Sequence, residues 1–362
     1  MTFLYGKEYK KEDLLNKIGD ISQIAGAREI TLNGGMHDGV KAVDFRTGSG
    51  FNFLVVPDRG LDITIAEHNG RPIAWRAPAG EVSPYFHNEF GFGWLRSFPG
   101  GLLTTCGLVT AGAPSEDDGE QLGIHGRYSS TPASNVWVDG EWDGDDYWMW
   151  VCGKVRESRI FGENLLMKRK ISTKLGSNVI YIDDEVTNES TKEVPFMILY
   201  HINGGYPAID TGSKMYSPTK KAIPRDADAE VDKENYFLID PPTDGYKERC
   251  YYHDMMTDKD GFVTTALINK NMPNGVPFGF YVKYNKNELP KFTQWKMNGT
   301  KEYVVGMEPA NCWVEGRAKE RERGTLHFIK PNEVRKFHLE IGVIESHETC
   351  QQIEDAIKAC SI

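Results

Sequence analysis

No apolar run in the 362-residue sequence approaches the ~18 residues needed to cross a bilayer as a helix, so no membrane partner is expected. The N-terminal stretch MTFLYGKEYKKEDLL lacks the apolar core and small-residue cleavage site of a signal peptide. Six cysteines, Cys106, Cys152, Cys250, Cys312, Cys350 and Cys360, show neither CxxC spacing nor a regular framework, which fits reduced thiols and predicts no disulfide. Together these absences predict a soluble, cytoplasmic protein. A long basic cluster is missing too: 42 Lys and Arg stand against 52 Asp and Glu, a formal net charge of −10. A nucleic-acid partner, which needs a basic face, is therefore not expected. The densest charge run, KERER from Lys319 to Arg323, alternates in sign and reads as a solvated surface strand or loop. No repeat, low-complexity tract or Pro/Ser-rich linker marks a boundary, so residues 1–362 read as a single domain, a length that all-β architectures reach.

What is present is material for a large core, with 40% apolar residues and 11% aromatics. Leu14, Leu15, Ile18, Ile21 and Ile24 recur at helical spacing between about Lys10 and Ala25, and a second helical pattern runs from His347 to Ala359. Between them lie strand-sized runs separated by Gly, Asn, Asp and Pro, among them GVKAVDFRT, FNFLVVPD, LDITIAE, YWMWVCGKVRES, LLMKRKISTKL, NVIYIDDEVTN and EVRKFHLEIGVIE. The dipeptides Asn69-Gly70, Asp139-Gly140 and Asp260-Gly261 predict hairpin turns. The chain is all-β. Pro218 to Tyr252, rich in charge and holding Pro241-Pro242, reads as long loops over one face.

The stretch PFMILYHINGGYP, Pro195 to Pro207, organises the functional reading. Its apolar run predicts a buried strand that delivers His201 and, in period-two register on the same face, Asn203 to the strand end before a Gly-Gly turn. An imidazole there titrates near neutral pH, although a core histidine satisfied by a carbonyl fits equally well. Four further motifs carry polar chemistry. In VVPDRGLDI, Arg59 stands between Asp58 and Asp62, a pattern for pinning a turn. In GWLRSFPGGLLTTCGL, Arg96 precedes Phe98-Pro99-Gly100-Gly101, where glycines would let backbone approach a ligand or simply bend between strands. Cys106, in the same motif, has apolar neighbours and reads as an inert thiol. In GIHGRYSSTPA, His125 and Arg127 flank a glycine and project from one side, as a polar ligand site would require. HxR and HxN pairs are weak metal signals, so no metal site is expected. In VVGMEPANCWVEGRA, Glu308 ends an apolar strand before Pro309, with Glu315 and Arg317 expected to pair on the rim. Burial beside Trp295 or Trp313 would raise the pKa of Glu308 toward that of a general base, while a structural ion pair is the alternative.

Taken together, PDRGLDI, GGLLTTCGL, HGRYSSTPA, YHINGGYP and GMEPAN resemble the aldose 1-epimerase, or galactose mutarotase-like, superfamily over roughly Ile30 to Ile344. The resemblance implies a β-supersandwich of two large, mostly antiparallel sheets with short terminal helices, and a small-molecule sugar substrate in an open cleft. It implies that Glu308 takes the proton of the anomeric hydroxyl and that His201 protonates the ring oxygen. His125 and Arg96 would bind the substrate, with Asn203 beside them, and no cofactor is implied. HGR stands where the family has His-Gly-Gly, so Arg127 would add a cation to the cleft and suit an anionic or otherwise modified aldose. The expected function is sugar mutarotase or epimerase chemistry. A carbohydrate lyase or hydrolase, with Asp58, Asp62 or Asp210 as second carboxylate, and a non-catalytic sugar-binding protein are the alternatives. Exposed sheet edges would be covered either by the terminal helices or by a second copy in a homodimer.

Overall fold

The computed structural model describes residues 1–361. Each strand-sized run quoted above forms a strand, including Lys41–Arg46, Phe51–Val56, Asp62–His68 and Asp146–Ser158. Two large antiparallel sheets result. The longer has eight strands in the spatial order Ser134–Asp143, Asp146–Ser158, Asn164–Lys174, Val179–Asn188, Val334–Ile344, Phe278–Asn285, Phe262–Asn269 and Lys214–Tyr216. The second, here termed the cleft sheet, has six: Thr104–Leu108, Met197–Gly204, Glu302–Ala310, Lys291–Gly299, Arg249–Met255 and Thr219–Pro224. A third sheet of five strands runs from Gly26 to Pro72. This is the expected all-β supersandwich.

Side-chain alternation decides what each face of the cleft sheet does. Along Met197–Gly204, Ile198, Tyr200 and Ile202 enter the main core with Val151, Ile171 and Ile182 of the long sheet. Met197 and Leu199 face the other way, into a smaller cluster with Trp94, Phe98, Ala310 and Cys312. His201 and Asn203 continue that second face. The core itself contains one charged knot. Arg169, fully buried, bonds Asp184 at 2.8 and 2.7 Å, Asp62 at 2.9 Å and the Thr105 hydroxyl at 2.9 Å, while Tyr200 donates to Asp184 at 2.7 Å. Burial works against this guanidinium's charge, yet Asp184 and Asp62 hold its pKa well above the ordinary value.

Several local expectations are corrected. The Lys10–Ala25 stripe is not one helix: Lys11–Leu15 is helical and Ile21–Gln23 is a 3-10 turn capped by Asp20, because Gly19 and Asp20 interrupt the run. The C-terminal helix His347–Ala359 forms as expected, capped by Ser346. Asn69-Gly70 closes a hairpin with positive φ at both residues, whereas Asp139-Gly140 lies inside the strand Ser134–Asp143. Gly140 is there for space, since a Cβ would lie 2.5 Å from the Tyr147 hydroxyl. Asp260-Gly261 makes a turn, but the strands on either side belong to different sheets. Within Pro218–Tyr252, the Thr219–Pro224 edge strand and the one-turn helix Ala227–Glu230 replace part of the expected loop. KERER lies mostly in the helix Arg317–Glu322, with Glu320 buried and accepting from the Trp313 N–H. Among the described residues, no helix is long and apolar enough to cross a membrane.

Arg169→Met leaves Asp62 and Asp184 buried without their cation. We expect a loss of about 3–5 kcal/mol of unfolding free energy in urea. A loss under about 1 kcal/mol would show that the knot does not hold the sheets.

Candidate functional site

Pairing of Leu199 with Ala310 and Ile202 with Met307 places His201 directly across from Glu308 on the cleft face. The imidazole Nε2 lies 3.3 Å from the Glu308 carboxyl Oε1, and both side chains are buried. Thr293 stands opposite Glu308 on the next strand, and Trp295 opposite Gly306. A Cβ at Gly306 would lie 2.6 Å from the Glu308 carboxyl, so only glycine leaves this carboxyl its position. His125 completes the floor, its ring centroid 5.6 Å from that of His201 and 4.7 Å from that of Trp94. His125 has a φ of +59°, a left-handed conformation uncommon outside glycine and concentrated at functional sites. Its Nδ1 faces the Gly112 N–H at 3.4 Å, which leaves Nε2 to carry the ring proton.

Around this floor opens a cleft of about 740 Å³, within the usual range of ligand sites. Its walls are largely aromatic: Trp75, Trp94, Phe98 and Trp295, with His201 5.3 Å from Trp295 and 5.4 Å from Phe98. Such rings suit the apolar faces of sugars. Buried Nδ1 of His201 and Oγ1 of Thr293 have no hydrogen-bond partner, and the 3.3 Å approach of His201 Nε2 to Oε1 of Glu308 is not aligned as a hydrogen bond, which leaves that oxygen unanswered too. Unanswered buried polar atoms cost roughly 1–3 kcal/mol each, and these three are grouped on one floor where a ligand's polar groups would supply their partners.

Burial also sets the protons. It pushes the Glu308 carboxyl well above its ordinary range, with Glu248 adding to the shift and Arg225 opposing it. Burial draws His201 down to about 4, against the Asn203 amide, and His125 down to about 3. Burial thus favours the uncharged form of each partner, a protonated carboxyl and a neutral imidazole with one proton between them.

The expected site residues divide. Glu308, His201, His125 and Arg96 share the cleft, and Arg96 is exposed on its rim. Asn203 is fully buried beneath it, with Nδ2 facing the carbonyls of Gly100, Gly101 and His201 at 3.1–3.4 Å. It is a support of the floor, within the strand rather than beyond its end. Arg127 does not line the cleft. Its guanidinium lies 3.4 Å from Glu89 and 3.9 Å from Glu120, so the cation expected in the cleft is spent on neighbouring carboxylates. Arg59 bonds three backbone carbonyls, those of Ser129, Val82 and Ser97, and not its flanking aspartates. Asp58 accepts from the Lys41 N–H and Asp62 belongs to the core knot; neither they nor Asp210 line the cleft. Glu315 pairs with Arg323, and Arg317 with Asp117 and Glu120, in place of the expected mutual pair. Trp313 stacks on Tyr252 and leaves Trp295 as the aromatic beside the carboxyl. The glycines of PGGL and YHINGGYP serve close packing: a Cβ at Gly100 or Gly205 would strike Trp75 at 2.6 or 2.7 Å. Cys106 is a buried thiol whose pKa burial raises well above normal, as an inert side chain requires.

Two charged residues and one aromatic escaped the sequence reading. Arg225 pairs with Glu248 at 3.1 Å and Asp226 at 2.8 Å, and Glu248 accepts the Trp295 indole N–H at 2.9 Å. Both line the cleft, from the stretch read as loops, and so does Trp75. Among the described residues, no group of three or more His, Cys, Asp or Glu could hold a metal ion.

The architecture is the galactose mutarotase-like fold. The chain is similar to a proposed aldose 1-epimerase from Klebsiella pneumoniae subsp. pneumoniae MGH 78578, at 25% identity over 92% of this chain and 87% of that one, TM-score 0.87. It shares its fold with a galactose mutarotase-like protein from Clostridium acetobutylicum, at 14% identity over 89% of this chain and 99% of the other, TM-score 0.59. A galactose 1-epimerase from Lactobacillus acidophilus NCFM has the same fold, at 13% identity over 89% and 100% of the two chains, TM-score 0.57. Within this class the chain belongs to the family described as a domain of unknown function, DUF4432, which matches residues 37–343. No curated protein matches it in sequence.

Glu248→Gln removes the negative charge that helps hold the Glu308 proton. The Glu308 carboxyl should then titrate at lower pH, read by carbon-13 NMR and assigned with Glu308→Gln. An unmoved titration would show that burial alone sets it.

Proposed function

We propose that the protein is a sugar isomerase of the mutarotase type, interconverting anomers of an aldose or modified aldose through acid–base ring opening. The observation that carries this reading is the contact of Glu308 with His201, a buried carboxyl and a buried imidazole on the floor of an aromatic cleft. The names of the Klebsiella and Lactobacillus proteins of similar fold support it.

Ring opening moves two protons. One leaves the anomeric hydroxyl and one joins the ring oxygen as the C1–O5 bond breaks. One group takes a proton while another gives one, each contributing on the order of 10²–10⁴-fold. The pair's single proton serves both halves. Passed from Glu308 to His201, it leaves a carboxylate to take the anomeric proton and an imidazolium to protonate the ring oxygen. The open aldehyde turns about C1–C2 and closes with the roles reversed, so no proton is exchanged with solvent. His125 stays neutral and offers its Nε2–H to the substrate's oxygens. Arg96 binds hydroxyls or an anionic substituent at the rim. The case for an anionic sugar rests on Arg96, since Arg127 is paired elsewhere. The chemistry calls for no cofactor.

Exchange between anomers, followed by saturation-transfer NMR over neutral and anionic aldoses, should be accelerated by the wild type. Glu308→Gln and His201→Asn should each lower it at least 10²-fold. Gly306→Ala, which displaces the carboxyl, should cost about 10²-fold with the fold intact. No acceleration of any sugar by folded protein would overturn the assignment. The pH profile should be a bell whose two limbs are spread apart by burial. It should fall on the acid side near pH 4, where His201 takes a second proton, and on the basic side only above the raised pKa of Glu308, where the shared proton is lost. An acid limb near 6.5, the value of an unburied histidine, would contradict this.

A further inference from the structure

Arg127, which the cleft does not use, belongs to a surface row of four side chains of alternating sign. Glu89 lies 3.4 Å from Arg127, Arg127 3.9 Å from Glu120, and Glu120 3.3 Å from Arg159. Both ends of the row carry apolar side chains that reach into solvent. Beside Glu89, the loop from Pro84 to Phe92 exposes Tyr85, Phe86, Phe90 and Phe92, with Tyr85 97% exposed. Beside Arg159, the tip of the hairpin between the strands Asp146–Ser158 and Asn164–Lys174 exposes Ile160 and Phe161, at 81% and 91%.

Both ends are braced from within. In the loop, the Gly91 carbonyl accepts from the Ile124 N–H at 2.9 Å, the Phe90 N–H donates to Asn88 Oδ1 at 3.1 Å, and a Cβ at Gly93 would lie 2.5 Å from Asn88. At the tip, the Arg159 N–H donates to the Glu163 carbonyl at 2.9 Å, and the Arg159 guanidinium lies 3.2 Å from the Glu163 carboxylate. The rings are thus held in place, and packing against them costs little further ordering. Tyr85, Phe86, Phe90, Phe92 and Phe161 together leave on the order of 700 Å² exposed. That is most of the ~800 Å² that each partner covers in a stable protein complex.

The order of the charges selects what covers the rings. Two acids and two bases cancel, so the row has no net attraction for an anionic membrane surface. A two-fold axis through the middle of the row reverses it, and acid, base, acid, base read backwards sets every charge against its opposite. Glu89 then faces Arg159 of the second copy, and Arg127 faces Glu120. The same rotation carries Ile160 and Phe161 of each copy onto the aromatic loop of the other, so that every contact occurs twice, as in an isologous interface.

We infer that the chain forms a symmetric homodimer through this surface, with its axis at Arg127 and Glu120 and the hairpin tip of each copy packed on the aromatic loop of the other. Phe92 also lines the cleft, so the second copy stands at the cleft mouth.

Sedimentation velocity at micromolar concentration should show a dimer. Phe161→Asn, which suits the left-handed backbone of that position, should weaken dimerisation at least tenfold. Glu89→Arg and Arg159→Glu should each be monomeric alone, because like charges then meet across the axis. Mixed in equal amounts, these two variants should form a heterodimer, in which both end pairs are again opposite. A monomeric wild type would overturn the inference, as would a dimer indifferent to all three substitutions or two monomeric variants that do not combine. A monomer that sediments with phosphatidylcholine vesicles would assign the rings to a lipid surface and overturn it as well.

Discussion

The charge of Arg169 is the constraint on which the cleft depends. A guanidinium enclosed between sheets is tolerated only when carboxylates and further acceptors meet it at short range. Asp184 from the long sheet, Asp62 from the five-stranded sheet and Thr105 from the cleft sheet supply them. Three sheets are thus held in one register by one side chain. Tyr200, which donates to Asp184, is the residue before His201, and Thr105 follows Thr104, the cross-strand partner of His201. The satisfied polar knot on the core face fixes the position of the unsatisfied polar pair on the cleft face. A slip of one residue would turn His201 into the core and Tyr200 into the cleft.

The two faces answer burial differently. In the core knot Arg169 is met by two carboxylates, which keep its charge against burial. On the cleft face Glu308 and His201 meet no fixed counter-charge, and burial removes their charges instead. The result is a floor on which a buried carboxyl and a buried imidazole, both pushed toward their uncharged forms, stand 3.3 Å apart. Stability is given up there, in orphaned polar atoms and in the left-handed backbone of His125, and such concessions in an otherwise consistent fold concentrate at sites that bind or react.

Much of this was legible in the sequence. Period-two alternation located the strands, and His201 in MILYHING and Glu308 in VVGMEP stood out as polar residues in apolar runs, but only the family resemblance joined them as a pair. What alternation cannot give is the partner across a chain separation. Arg127 has the spacing of a cleft residue, but Glu89 and Glu120 take its charge. Arg225 and Glu248 lie in a stretch whose charges hid an edge strand, and only pairing Cys250 with Trp295 brings them to the cleft. Glycines misled in a consistent way. Asp139-Gly140 and Gly204-Gly205 look like turns, whereas the structure uses Gly140 and Gly205 to bring an aromatic neighbour close. A missing side chain permits a backbone conformation or a close approach, and the local sequence does not distinguish the two.

The charge arrangement limits what the floor can recognise. Arg225 is neutralised by Glu248 and Asp226, Glu248 is further held by the Trp295 indole, and burial pushes Glu308 and His201 toward their uncharged forms. Only Arg96, exposed at the rim, lacks a carboxylate partner among the described residues lining the cleft. The floor therefore offers polar atoms and aromatic faces but no free cation, and an anionic group on a ligand would find one only near the rim. In the proposed ring opening, charge separation within so buried a pair is unfavourable until the ligand's hydroxyls answer the orphaned His201, Glu308 and Thr293 atoms. Those contacts stabilise the carboxylate and imidazolium only when a polyol is in place. The same burial that silences the pair at rest thus makes its activation depend on the kind of ligand for which the cleft is shaped.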